Sequence, residues 1–173
     1  MANYLIEKDQ AFLNEVIFDA LPELFPTEEH QMEALADPKV YNITYLVEKA
    51  MAKIGNMEYV DEEGYDFLPC KSDAKTTSLT ITPQSSNPVG VFQTKAKVGA
   101  LRICVFNPYK NLGDQIDFFY VPRTGYNRAV GFTWNLKKSS YLSMEEYRVP
   151  DFRTLCERTE HNYTPNTLAQ FIA

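Results

Sequence analysis

The sequence predicts an α+β domain in which a central mixed β-sheet is flanked by helices. Three observations lead there. Helical periodicity dominates residues 1–55, strand-like stretches fill residues 57–135, and helical signals return over 142–173. Helices therefore precede and follow a run of consecutive strands, without the regular βα alternation of a doubly wound fold. A chain of 173 residues fits one domain, 1–173. With 45% hydrophobic and 13% aromatic residues it can build a core.

The elements follow in order. In "KDQAFLNEVIFDALPELF" the apolar residues Phe12, Leu13, Val16, Ile17, Ala20 and Leu21 recur at helical spacing, and Pro22 should end or bend that helix. Thr27 can cap a second short helix, "EEHQMEALAD", which stops before Pro38. The third has the clearest pattern: Ile43, Leu46, Val47, Ala50, Met51 and Ile54, with Gly55 at the C-cap. Strands are expected at "MEYV", "SDAKTTSLTIT", "VGVFQTKAKV", "ALRICVF", "QIDFFYVP" and "AVGFTWNL". "ALRICVF" is nearly all apolar, as for a central strand buried on both faces. "SMEE" reads as a capping box of Ser143 and Glu146, "DFRTLCERT" continues in helical style, and Thr164-Pro165 opens a short terminal helix.

Several function classes drop out. No run approaches about 18 apolar residues, so no membrane span is expected. "MANYLIEKDQ" lacks a basic region followed by an apolar stretch, so it is not a signal peptide. Cys70, Cys104 and Cys156 are scattered and odd in number, which suits free thiols in a reducing cytoplasm rather than zinc or disulfides. Two histidines, no G-x-S-x-G and no glycine-rich phosphate loop speak against His-dependent triads and nucleotide-loop enzymes.

Charge is unevenly spread. Residues 1–66 carry four basic and fifteen acidic side chains, a balance of −11, whereas residues 95–138 carry eight and two, a balance of +6. A polyanion-binding face needs local positive charge rather than a basic total, so the second half permits one. Lys95 and Lys97 share a strand face in this reading and are candidate phosphate contacts. "RTGYNRAVGFTWNLKKSS" adds Arg123, Asn127, Arg128, Lys137 and Lys138, types suited to backbone phosphates and base edges. Arg102 interrupts an apolar strand; a buried ion pair with Asp117 is the leading explanation, and DNA contact the second.

The chemistry concentrates in "GYDFLPCKSDAKTTSL". Residues i and i+2 of a strand share a face, so Asp73 and Lys75 project together, and Asp66 can reach them from the end of the preceding strand. Two carboxylates can hold Mg²⁺, a hard cation that takes oxygen ligands. A lysine beside them can orient or help deprotonate a water and balance phosphate charge. The bland alternative is a polar strand face with a surface ion pair, worth little energetically.

The pattern D-F-x5-D-x-K-T, carried by Asp66-Phe67, Asp73, Lys75 and Thr76, resembles the PD-(D/E)XK nuclease superfamily, in particular MutH and small type II restriction endonucleases. The resemblance covers roughly residues 43–80. It implies a restriction-endonuclease-like core and Mg²⁺-dependent cutting of double-stranded DNA. It makes Asp66 and Asp73 metal ligands, Lys75 the catalytic lysine, and Glu48 of "YLVEKAMAKIG" an accessory acid. Tyr65 stands where the family has proline, and the second acid is Asp rather than the commoner Glu. Glu48 falls on the flank or outer side of its helix's apolar stripe, which favours a plain surface residue; Glu58, Glu62 and Glu63 are other sources of a third carboxylate. One small domain carries one site, so cutting both strands calls for a homodimer whose two-fold axis matches a palindrome. The rival readings are a non-catalytic phage or host interaction protein whose acidic helices bind a partner, and a structure-specific resolvase or repair nuclease on the same fold.

Overall fold

The computed structural model describes residues 2–36, 42–84 and 86–166. It is a mixed α+β structure in three layers, and its four-stranded sheet sits between helices on one face and a second sheet on the other. The α+β class and the mixed sheet match the expectation, with one correction: helices cover only one face, and a second sheet takes the other.

The helical layer begins with α1, Ala2–Phe12, which runs on through a π-helical turn, Leu13–Ile17, and a 3₁₀ turn, Phe18–Ala20, into α2, Leu21–Leu24. Pro22 does not end the helix. It lies in the first turn of α2, where its missing N–H costs no hydrogen bond, and the chain turns extended only at Phe25. The wide π turn presents Glu15, whose carboxylate accepts the backbone N–H groups of Gln115 (3.3 Å) and Ile116 (3.0 Å). α3, Glu28–Ala36, is capped by Thr27, whose Oγ1 accepts from His30 N at 3.3 Å; the expected stop at Pro38 lies outside the described residues. α4, Ile43–Ile54, starts at Asn42, whose side chain accepts from Thr44 N and Tyr45 N, and it buries Ile43, Leu46, Val47, Ala50 and Met51. α5, Phe152–Glu157, is opened by Asp151, which accepts from Thr154 N at 2.7 Å.

β1, Glu58–Glu62, and β2, Tyr65–Leu68, form an antiparallel hairpin. β3, Asp73–Ser78, is the edge strand of the central sheet and runs parallel to β5, Leu101–Phe106. β5 pairs antiparallel with β6, Ile116–Val121, and β6 with the short β9, Arg148–Val149. β4, Val89–Gln93, pairs with β7, Ala129–Asn135, which pairs with β8, Ser140–Tyr141; these three make the covering sheet. Alternation along β5 feeds both cores. Leu101, Ile103 and Val105 face the covering sheet, while Cys104 and Phe106 face the helices. Every residue of β5 and β6 is buried.

Three further expectations are corrected. β4 ends at Gln93, so Lys95 and Lys97 lie in the following turn and share no strand face. The Ser143–Glu146 capping box does not form: Met144 adopts φ 72°, a 3₁₀ turn spans Glu145–Tyr147, and Ser143 Oγ donates to Gly131 O at 3.4 Å. Arg102, 1% exposed, does not pair with Asp117. Its guanidinium donates to Ser72 Oγ (3.0 Å) and to the carbonyls of Leu155 (2.6 Å) and Cys156 (3.2 Å), tying α5 to the residue before Asp73. Asp117 instead binds Lys110 (2.7 Å), Arg148 (2.9 Å) and Tyr141 (2.5 Å). The terminal helix expected after Thr164-Pro165 falls on residues outside those described. Among the described residues, no helix is long and apolar enough to cross a membrane.

Candidate active site

The site forms where α4, the β1–β2 hairpin and the open edge of β3 meet. The connection from β2 to β3 is tight, for Ser72 O accepts from both Asp66 N (2.9 Å) and Phe67 N (3.2 Å). Asp73 N donates inward to Ala100 O at 2.9 Å, so the next N–H, on Ala74, points out of the sheet edge. Asp66 Oδ2 accepts it at 2.9 Å. The edge that would otherwise be open is closed by a carboxylate, which fixes Asp66 against Asp73.

Asp73 is 2% exposed and lies between two ammonium groups. Lys97 Nζ is 3.0 Å from Oδ1, and Lys75 Nζ is 3.4 Å from Oδ2. Oδ2 is buried and accepts no hydrogen bond. Burial works to lower the pKa of Lys97, but the hydrogen bond and charge of Asp73 outweigh it and hold the pKa above the ordinary lysine value. Lys97 reaches the site because its turn is pinned: Thr94 N donates to Arg128 O (2.9 Å), Val98 N to Gly64 O (3.3 Å), and Tyr126 Oη to Gly99 O (2.6 Å). Gly64 has φ +91° and Gly99 packs directly on the carbonyl of Lys71, so both positions need the missing Cβ.

Asp66 is pushed up to about 7. Burial is the main cause, partly offset by the Ala74 N–H, and the neighbouring charges of Asp73 and Glu48 add to it; Asp73 also lies within hydrogen-bonding reach. Glu48 is likewise raised, chiefly by burial, against the hydrogen bond from Tyr59 Oη to its Oε2 at 2.6 Å. Glu48 is thus half-buried and bonded, not the plain surface residue expected from its place on the helix. Burial also raises the Tyr59 hydroxyl, which stays a proton donor.

One ligand oxygen from each of Glu48, Asp61 and Asp66 lies within 4.8 Å of the others. Asp61 had no signal in sequence spacing. It is exposed, as are its neighbours Glu62 and Glu63 in the acidic turn and Glu58, and those three lie outside this group. Asp61 lies within a register shift between Tyr59 and Glu62, at φ 49°.

The structure divides the candidate DNA-contact residues. Lys95, Arg123, Asn127 and Arg128 are exposed around the pinned turn that carries Lys97. The Arg123 side chain donates to Tyr126 O at 3.1 Å and stacks on the Tyr126 ring, centroid 4.7 Å away. Lys137 and Lys138 are exposed in the β7–β8 turn, where their N–H groups bond Asn135 Oδ1 at 3.0 Å. They lie at the other end of β7, about 20 Å along at the usual strand rise. Comparison with family models, with curated proteins and with solved structures gives no match.

Proposed function

We propose that this protein is a Mg²⁺-dependent endonuclease that hydrolyses phosphodiester bonds of double-stranded DNA on a restriction-endonuclease-like, PD-(D/E)XK core. The observation that carries the reading is the convergence of Asp66, Asp73 and Lys75 at the edge of β3, with buried Asp73 Oδ2 facing the Lys75 ammonium at 3.4 Å. The order of elements supports it: a helix bearing Glu48, then the strand of Asp66, then the D-x-K strand.

The residues fit a divalent cation. Four carboxylates, Glu48, Asp61, Asp66 and Asp73, face two ammonium groups, Lys75 and Lys97, for a formal charge of −2 when all are ionised. Such a site repels a phosphodiester until a dication is present. Asp66 and Asp73 would hold Mg²⁺, which supplies Lewis acidity toward the phosphoryl oxygen and acidifies a bound water. Lys75, 29% exposed and fixed by Asp73, orients the attacking water and sets a positive charge against the phosphate. Lys97 and the Ala74 N–H hold the carboxylates in place. Lys95, Arg123, Asn127 and Arg128 would track the DNA backbone toward the site.

Incubation with plasmid and phage DNA, with and without Mg²⁺, tests this. Discrete fragments are the expected product of a restriction-like enzyme. Cutting confined to branched DNA would indicate a resolvase on the same fold. No metal-dependent cutting across varied duplexes would favour the non-catalytic interaction protein.

A further inference from the structure

We propose that Lys97, which lies outside the D…D-x-K pattern, is a second catalytic lysine: with Lys75 it forms a pair of ammonium groups over Asp73 that contacts the phosphodiester under attack. The inference rests on the nuclease reading above and adds to it which side chains touch the reacting phosphate.

Charge comes first. A buried carboxylate needs a partner, and Lys75, on the same strand, already supplies one to Asp73 Oδ2 at 3.4 Å. Lys97 adds a second ammonium, 3.0 Å from Oδ1, from a turn 24 positions downstream. The centre is therefore polarised: Asp73 and its two lysines sum to +1, while Glu48, Asp61 and Asp66 sum to −3 when ionised. A phosphodiester, with one negative charge, is drawn to the former.

The second argument is layering. The Asp73 side chain is 2% exposed, whereas those of Lys97 and Lys75 are 17% and 29% exposed. The two lysines thus reach solvent from a carboxylate that does not, and a phosphate arriving from solvent meets them first. An ammonium has three donors and no acceptor. Lys97 gives one to Asp73 Oδ1, which leaves two for phosphate oxygens. The bond to a buried carboxylate fixes where those donors stand before substrate arrives, and donors placed in advance stabilise charge that develops in the transition state.

The third argument is delivery. The turn that carries Lys97 is fastened on two sides. Val98 N donates to Gly64 O at 3.3 Å, just before Asp66, while Thr94 N donates to Arg128 O at 2.9 Å and Tyr126 Oη to Gly99 O at 2.6 Å. Arg128 and Arg123, the latter stacked on Tyr126, are exposed cations of that second anchoring segment. Lys97 is therefore the inner end of a basic path whose outer members are Lys95, Arg123 and Arg128, and it is the member that reaches Asp73.

The test reads the lysines themselves. A short duplex spanning a cut mapped in the plasmid digest is added to wild type in Ca²⁺, and the lysine Nζ signals are followed by NMR. Those of Lys75 and Lys97 should both shift, and those of Lys137 and Lys138 should stay. A shift of Lys75 without Lys97 overturns the assignment of Lys97 and leaves the nuclease reading standing. Shifts confined to exposed lysines such as Lys95 overturn both, since DNA then binds away from Asp73. Plasmid kinetics in Mg²⁺ separate chemistry from binding. Lys97→Met should lower the maximal rate at least about 100-fold and leave the half-saturating DNA concentration within about threefold, whereas Lys95→Met should change only the latter. An unchanged maximal rate in Lys97→Met overturns the proposal, and so does an equal loss in Lys95→Met, since only the general field then matters. If Lys97→Met does not fold, the wild-type NMR titration decides alone.

Discussion

Asp66 gives the metal-free protein one pH-dependent contribution to stability. An unfolded aspartate titrates near 3.9, whereas folded Asp66 is pushed up to about 7, mainly by burial. Between those values the folded state holds a proton that the unfolded chain has released. Its contribution is therefore full below about pH 4 and is lost progressively as pH rises through 7. Metal-free wild type should show a falling Tm from about pH 5 to about pH 8, beyond the trend of Asp66→Asn, which still accepts the Ala74 N–H. At the upper pH in chelator, Asp66→Asn should melt above wild type; scanning fluorimetry checks both, and parallel profiles would contradict the burial argument. Arg102 gives a second residue-level expectation. Arg102→Met leaves Ser72 Oγ and the Leu155 and Cys156 carbonyls without their donor. It should cost about 2–4 kcal/mol in urea unfolding, against under about 0.5 kcal/mol for an exposed change such as Lys138→Ala. The sequence marks Arg102 as unusual because it interrupts an apolar run. Its partners could not be read there, since two are backbone carbonyls 53 and 54 positions away.

At the scale of elements, the Thr94–Gly99 turn delivers Lys97 to Asp73. A Cβ on Gly99 would sit 2.4 Å from Lys71 O and 3.1 Å from Cys70 O, and neither is a flexible side-chain end. Gly99→Ala should lower stability by about 1–3 kcal/mol and move Lys97 off Asp73, so that cleavage falls more than in Lys95→Ala on the same turn. Thermal unfolding beside a cleavage assay measures both. Local signals made α4, β5 and β6 legible: a 3.6-residue period, Gly55 at the helix end, and unbroken apolar strands. They could not reveal that β4 leaves for a second sheet and lets β5 return parallel to β3, because pairing is decided by contacts distant in sequence. Asp73 and Lys75 were legible through strand alternation. Asp61 was not, because its place beside Glu48 and Asp66 depends on how the β1–β2 hairpin packs on α4.

For the whole molecule, the charge contrast along the chain becomes a contrast across the site. Acidic residues from α4, β1, β2 and β3 gather at its centre, and Lys95, Arg123 and Arg128 stand exposed beside it. Binding to duplex DNA in Ca²⁺, followed by fluorescence anisotropy, should weaken in Arg123→Ala/Arg128→Ala, with a salt slope reduced by about 2. Lys137→Ala/Lys138→Ala, at the far end of β7, should leave the slope near the wild-type value. A homodimer on palindromic DNA, seen by sedimentation, is the matching expectation for assembly. The most direct measurement is the rate of plasmid cleavage by wild type, Asp73→Asn and Lys75→Ala in Mg²⁺ and in chelator. Wild type should cut only with Mg²⁺, and each variant should cut at least about 100-fold more slowly. Cleavage by Lys75→Ala at the wild-type rate, or wild-type cutting undiminished by chelator, would contradict it.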